Sequence, residues 1–269
     1  MKIILNKNKL IKYIHKEKNL GLVPTMGGIH SGHMSLIKKS IKMCDKTIVT
    51  IFVNKPQFNR KNDYLKYPRV LNKDISILRK LKVSYLYLPT HKQIYPAGPN
   101  KKIKISTLGK KLCGKSRPGH FEAVADVIER FIKIIKPKKI FFGEKDMQQL
   151  KIINHYVKLN NLKSKIIGCK TVREKNGIAC SSRNSNLTIA QKNIASLVYK
   201  LIKKNKRNIL LNKKNLSSLY KKIINIGVNK VDYLKLVNIN NILKPYKKNK
   251  KYKIFIAYYL GKTRLIDNV

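Results

Sequence analysis

Pro24-Thr25-Met26-Gly27-Gly28-Ile29-His30-Ser31-Gly32-His33 places two histidines and three glycines in one short turn. On its amino side, Leu22 to Thr25 reads as a strand. On its carboxyl side, His33 to Met43 carries Met34, Ile37 and Ile41 at helical spacing. Glycines let a backbone approach a phosphate, and a helix opening near Gly32 aims N–H groups and a partial positive charge at an anion. The imidazoles add donors that can follow charge as it develops. The H-x-x-H spacing also suits a zinc site or a turn that hydrogen-bonds to itself, so the stretch alone leaves these readings open.

Outward from this turn, β-branched segments alternate with helical patterns over the first 170 or so residues. Thr47 to Val53 and Val83 to Leu88 read as strands, and Lys73 to Leu81 as a helix. Tyr95-Pro96-Ala97-Gly98-Pro99 marks a loop. Phe121, Val124, Ala125, Ile128, Phe131, Ile132 and Ile135 form an amphipathic stripe that Pro137 ends, and Lys139 to Phe142 follows as a short buried strand. Beyond Ile166 to Thr171 the pattern changes. Helices are expected at Ile189 to Lys204 and Leu216 to Ile226, then strands at Val231 to Val237 and Tyr252 to Leu260, with Lys203 to Asn215 as a helix end plus connection. The expectation is an α/β fold: a Rossmann-like parallel sheet over residues 1–171 and a smaller α+β domain over 172–269.

The chain has 269 residues, 43% of them hydrophobic, enough for one large domain or two smaller ones. No apolar run in residues 1–19 suits a signal peptide, and none later approaches the roughly 20 residues of a membrane span, so a cytoplasmic location without a membrane partner is expected. Cys44, Cys113, Cys169 and Cys180 are far apart and read as small apolar fillers in a reducing compartment. The formal charge of +49 would attract nucleic acid nonspecifically. The lysines are spread along the chain and accompany isoleucine and asparagine, whose codons are AT-rich, so we read the charge as compositional. Runs such as Lys247-Lys248-Asn249-Lys250-Lys251 read as solvated turns, and no specific nucleic-acid partner is expected.

Three further clusters put polar groups beside expected strand ends: Asn54-Lys55-Pro56-Gln57-Phe58, Phe142 to Leu150, and Val172 to Asn184. Only 12 acids exist in the chain, so Glu144 and Asp146 flanking Lys145 stand out; they suit phosphate and ribose contacts, or an exposed charged turn. Ser181-Ser182-Arg183 can present two hydroxyls and a guanidinium to phosphate oxygens. Glu122, Asp126 and Glu129 share a helical face and read as partners for nearby cations, and His120 as a capping or packing residue.

Together these segments resemble the pantoate–β-alanine ligase family. Pro24 to His33 is similar to its P-T-M-G-x-L-H-x-G-H signature, a relative of the HIGH motif of nucleotidyltransferases, and Phe142 to Leu150 to F-G-E-K-D-x-Q-Q-L. Ser181-Ser182-Arg183-Asn184 is similar to the S-S-R-N segment that stands in for a KMSKS loop, and Leu260 to Asn268 to the C-terminal strand. The resemblance implies a homodimer that joins pantoate to β-alanine, using ATP with Mg2+, through a pantoyl adenylate. The small domain then covers the site. It implies that Met26, Gly27, Gly28, Ile29, His30, Ser31, Gly32 and His33 surround the nucleotide, with His30, His33 and Lys145 catalytic and His33 the proton donor. Gly143, Glu144, Lys145, Asp146, Val172, Cys180, Ser181, Ser182 and Arg183 complete the ATP site, and Gln57 and Gln149 hold pantoate, Gln57 also serving β-alanine. No resident metal site is assigned.

Three departures stand out. The family pattern N-P-x-Q-F is here Asn54-Lys55-Pro56-Gln57-Phe58, Cys180 replaces a usual Met, and Lys73-Asp74 replaces one of two acids, which is expected to weaken magnesium handling. Rival readings are another HIGH-type nucleotidyltransferase, an RNA-binding protein, and a degraded enzyme kept as a fold.

Overall fold

The computed structural model describes residues 1–211, 215–242 and 251–269. The elements run β1 (Lys2–Ile4), α1 (Lys7–Ile14), β2 (Leu20–Thr25), α2 (Ser31–Met43), β3 (Lys46–Ile51), α3 (Lys61–Leu65), α4 (Leu71–Lys80), β4 (Tyr85–Tyr87), α5 (His91–Ile94), α6 (Cys113–Ser116), α7 (His120–Ile135), β5 (Lys139–Gly143), α8 (Met147–Leu159), β6 (Lys165–Cys169), α9 (Ile189–Leu211), α10 (Asn215–Asn225), β7 (Lys230–Asn238), β8 (Tyr252–Leu260) and β9 (Thr263–Asn268). The chain divides into two compact units, Met1–Glu144 with Gln148–Lys170, and Lys145–Met147 with Thr171–Val269.

The first unit is built on a six-stranded parallel sheet in the order β1-β4-β3-β2-β5-β6. Side chains alternate across its two faces. Leu22, Ile48 and Ile140 point into a cluster with Ile128, Phe131 and Ile153 of α7 and α8. Val23, Val49 and Phe141 point the other way, against Ile37 of α2 and Leu78 of α4. Burial on both faces explains why these strands read as apolar runs.

Strand order reverses at β2, with β3 on one side and β5 on the other. Open α/β sheets bind ligands outside the carboxyl ends of the strands at such a point. Pro24 contributes to the opening. The Thr25 carbonyl accepts from Phe52 N–H on the β3 side, so the preceding residue faces β5, where pairing stops at Leu22. A proline therefore removes no ladder bond there, and the two strands are unpaired beyond that level.

The structure adds elements that the sequence reading lacks. Asn6 caps α1 through Oδ1, which accepts from Asn8 N–H at 2.8 Å and Lys9 N–H at 3.1 Å. Leu10 and Ile14 of that helix are buried, but the surrounding lysines dilute the pattern. Helix α8 is a second addition, because Phe142 to Leu150 reads in the sequence as a single polar motif. Helix α2 begins at Ser31, two residues before the expected His33.

In the second unit, β7, β8 and β9 form a three-stranded antiparallel sheet against α9 and α10. Ile254, Ile256 and Tyr258 alternate along β8 and pack with Val198, Ile202, Leu219 and Ile223. The β8–β9 hairpin closes through Gly261 at φ 55° and Lys262. Helix α9 continues to Leu211, well past the expected end at Lys204, because Ile202 and the fully buried Ile209 keep an apolar face through the lysines. Lys206 lies 5.0 Å from the Tyr252 ring centre, and burial lowers its pKa. The run 247–250 and residues 212–214 of the expected connection lie outside the described residues. No described helix is long and apolar enough to cross a membrane.

Candidate active site

The histidine turn leaves the carboxyl end of β2. Thr25 Oγ1 donates to the Thr50 carbonyl at 2.8 Å and accepts from Gly27 N–H at 3.1 Å, fastening the turn to β3. Gly27 and Gly28 then take φ values of 83° and 63°, where a β carbon is strained. A Cβ on Gly27 would also lie 3.0 Å from Asp74 Oδ2 and 3.2 Å from Ile51.

Asp74, on the first turn of α4, is 1% exposed. Its Oδ2 accepts from Gly28 N–H at 2.9 Å and its Oδ1 from Ile29 N–H at 2.7 Å. Charge-assisted bonds of this kind are about twice as strong as neutral ones. Within the turn, the Gly27, Gly28, Ile29 and Gly32 amides donate to the loop itself or to Asp74.

His30 caps α2 by accepting from Gly32 N–H through Nδ1 at 3.1 Å. An accepting Nδ1 carries no proton, so the proton of the neutral ring is on Nε2. The His30 and His33 rings have centroids 4.1 Å apart and an interplanar angle of 32°. Met26, Gly28, His30, Gly32 and His33 are partly exposed and Ser31 is exposed, whereas the Ile29 side chain is buried.

Beyond β3, Lys55–Gln57 form a single 3-10 turn with Pro56 in its first positions, where a missing N–H costs little. Gln57 N–H still reaches the Asn54 carbonyl at 3.0 Å. The Lys55-Pro56 order thus leaves Gln57 anchored, and Lys55 is exposed. Gln57 Oε1 accepts from Asn54 Nδ2 at 2.8 Å, and the buried Asn54 Oδ1 accepts from Tyr95 OH at 2.7 Å. Burial pushes the Tyr95 hydroxyl pKa well up, keeping it a donor. The Gln57 carbonyl accepts from Arg117 Nη2 at 3.2 Å and lies 2.9 Å from His120 Nδ1, which must carry the proton because a carbonyl cannot donate. His120 therefore fastens Gln57 in place, a more specific role than the expected cap or packing contact.

Elsewhere on α7, Asp126 pairs with Arg130 at 2.6 Å and Glu129 with Lys133 and Tyr156. These acids are structural, as expected for them. Gly143 closes β5, and Glu144 begins the 3-10 turn Glu144–Asp146. On α8, Gln149 is partly exposed and its amide makes no hydrogen bond among the described residues, while the neighbouring Gln148 is buried and fully engaged.

The second unit holds Lys145, Val172 and the Cys180–Asn184 segment. Lys145 lies 3.8 Å from Asp146, and its carbonyl accepts from Asn268 Nδ2 at 2.8 Å. Cys180 N–H donates to the Val172 carbonyl at 3.0 Å, so the backbone donor at this position serves the hairpin. Ser181 Oγ caps the 3-10 helix Ser182–Asn186 by accepting from Arg183 N–H at 3.3 Å. Asn184 is 6% exposed, and its Nδ2 donates to Glu174 Oε1 at 2.6 Å and to the Ala179 carbonyl at 3.2 Å. Beneath, Arg173 grips Asp267 in two bonds of 2.6 and 2.9 Å and lies 4.1 Å from the centre of the Tyr199 ring. A cavity of about 20 Å³, lined in part by Lys145, Ser181, Arg183 and Asn184, has room for roughly one water. The four cysteines are buried and form no disulfide among the described residues, and burial raises the Cys44 and Cys169 thiol pKa values, so neither is an activated thiolate.

The sequence reading misses Asp74 as the support of the histidine turn, Arg117 and Asn54 as supports around Gln57, and Gln148 as the anchor of the turn at 108–113. Scarcity of acids was one available signal for Asp74. The family model for pantoate-β-alanine ligase matches residues 2–269. A pantothenate synthetase of Endomicrobium trichonymphae is 42% identical, covering 100% of this chain and 97% of that one. The crystal structure of pantothenate synthetase from Thermus thermophilus aligns with a TM-score of 0.93 at 29% identity, covering 100% of this chain and 99% of that one. Pantoate-beta-alanine ligase from Francisella tularensis, solved with β,γ ATP and β-alanine, aligns with a TM-score of 0.87 at 39% identity, covering 100% of this chain and 97% of that one.

Proposed function

The chain belongs to the pantoate–β-alanine ligase family, and from that premise we propose how its residues divide the work of the reaction. The activity is the ATP-dependent condensation of pantoate with β-alanine to give pantothenate, AMP and pyrophosphate. A carboxylate is a poor acyl donor, so the acid is first activated. A pantoate carboxylate oxygen bonds to the α-phosphorus of ATP, and pyrophosphate leaves with the electrons of the broken P–O bond. The neutral amine of β-alanine then bonds to the acyl carbon, AMP leaves with the C–O electrons, and the amine loses a proton.

His30 and His33 face the phosphates from the first turn of α2 and stabilise the charge that builds as pyrophosphate departs, with His33 as proton donor. Lys145 supplies a fixed cation to the same charge, and Gly143, Glu144 and Asp146 contact the nucleotide. Val172 and Cys180 to Arg183 complete the nucleotide contacts, with Ser182 and Arg183 gripping phosphate oxygens. Gln57 and Gln149 hold pantoate, and Gln57 also guides β-alanine. Each preorganised donor of this kind can contribute about 3 kcal/mol to transition-state stabilisation. Magnesium enters as the Mg–ATP substrate, neutralising phosphate charge. Residues 1–171 and 172–269 act as two domains. We further assign a cytoplasmic location and a homodimer; buried cysteines without a disulfide among the described residues accord with a reducing compartment.

The observation that carries this reading is the close pair of imidazoles at the start of α2 where the sheet order reverses. Pantoate-dependent ATP–pyrophosphate exchange by the purified chain, with AMP release only after β-alanine is added, is the expected result. A folded protein that exchanges pyrophosphate without pantoate, or not at all, refutes it.

A further inference from the structure

Gln148 and Gln149 are neighbours on the first turn of α8, yet they differ in engagement. The Gln148 side chain is 5% exposed. Its Nε2 donates to the carbonyls of Leu108 at 2.8 Å and Lys111 at 2.7 Å, and its Oε1 accepts from Cys113 N–H at 3.0 Å. All three bonds go to the backbone of one short turn. Within that turn Leu112 has φ 45° and ψ −118°, a conformation that a side-chain-bearing residue avoids. Gly114 passes so close to Gly109 that a Cβ there would lie 1.6 Å from the Gly109 carbonyl oxygen. Local propensity cannot hold such a turn, and strain of this kind persists only where the surroundings over-determine it. Gln148 is the buried group that does so.

The same segment leads directly to Arg117 and His120, whose side chains meet the Gln57 carbonyl. Asn59 Nδ2 adds a tie to the Pro118 carbonyl at 2.7 Å. We propose that Gln148 is a positioning residue for pantoate: by pinning the turn at 108–113 it sets Arg117 and His120, and through them the backbone that carries Gln57. The two adjacent glutamines thus divide into Gln149, available to substrate, and Gln148, which shapes the wall beside it. This inference rests on the assignment of Gln57 to pantoate.

The test measures KM for pantoate and for ATP separately, by pyrophosphate exchange on the full chain. Gln148→Leu is expected to raise the pantoate KM about tenfold while the ATP KM stays within about twofold. Glycine tolerates the conformation at 112 without strain, so adding Leu112→Gly to Gln148→Leu is expected to restore pantoate KM by about threefold, a rescue that general destabilisation would not give. Should Gln148→Leu fail to fold, Gln148→Glu replaces it; the carboxylate keeps the acceptor for Cys113 but faces two carbonyls, and the same selective rise is expected. Parallel rises in both KM values, no rise in either, or no rescue by Leu112→Gly overturn the positioning role. Gln57→Ala separates the two layers. If it leaves pantoate KM unchanged, the assignment of Gln57 falls and the role of Gln148 falls with it. If it raises pantoate KM while the Gln148 variants do not, the role of Gln148 alone is refuted.

Discussion

The histidine turn and the Ser181–Asn186 segment are both short polar turns that we assign to phosphate, but they are held in different ways. The first depends on a carboxylate far away in sequence: Asp74 grips the Gly28 and Ile29 amides across separations of 46 and 45 residues. The second depends on near neighbours, with Ser181 capping Arg183 two residues on and Asn184 bonding Glu174 ten residues back. A turn tethered to another strand–helix unit is preorganised by the whole sheet. A turn tethered to its own hairpin keeps its shape locally, with Ser182 and Arg183 partly exposed. The contrast separates a turn tethered to a distant carboxylate from one held by its own hairpin.

Four substitutions break or sharpen this contrast. His33→Ala acts on the chemistry carried by the fixed turn; pantoate-dependent pyrophosphate release should fall about 100-fold or more with an unchanged unfolding midpoint, and near-normal release from a folded variant would remove the proton-donor role. Asp74→Asn acts on the tether. It presents an amide NH2 to one of two N–H donors, so denaturant unfolding should show a loss of about 2–4 kcal/mol, with exchange reduced about tenfold. Stability within about 0.5 kcal/mol of the parent, the margin of ordinary surface substitutions, would show that the turn holds itself. Asn184→Ala cuts only a local tie, and a smaller loss of about 1 kcal/mol is expected, with ATP KM raised more than pantoate KM; a cost equal to that of Asp74→Asn would erase the distinction between the two turns. Lys55→Ala removes an exposed cation beside Gln57 and should leave both KM values within about twofold, whereas a large change would give the Lys55-Pro56 order a direct part in binding.

Much of the fold was readable from local pattern. Apolar strands buried on both faces, the α7 stripe ending before Pro137, and the glycines of the histidine turn each express a preference set within a few residues. Helices α1 and α8 escaped because lysine interrupts one pattern and a motif reading covered the other. Among the candidate site residues, the histidines, Lys145 and the serine–arginine segment stand out by residue type, since their chemistry is a property of the side chain. Their supports were hidden, since Asp74 and Gln148 have no special sequence context that fixes their partners.

The sequence by itself determined the strand–turn–helix units, the conformations only glycine takes comfortably, and which chemical groups the chain can offer to a nucleotide and an acid. Tertiary structure decided which amides of the turn are engaged, which of two adjacent glutamines is engaged, and which buried carboxylate braces the histidine turn. Side-chain chemistry and backbone preference act over a few residues. Hydrogen-bond partners of buried groups depend on strand register and helix packing, which bring together residues far apart along the chain.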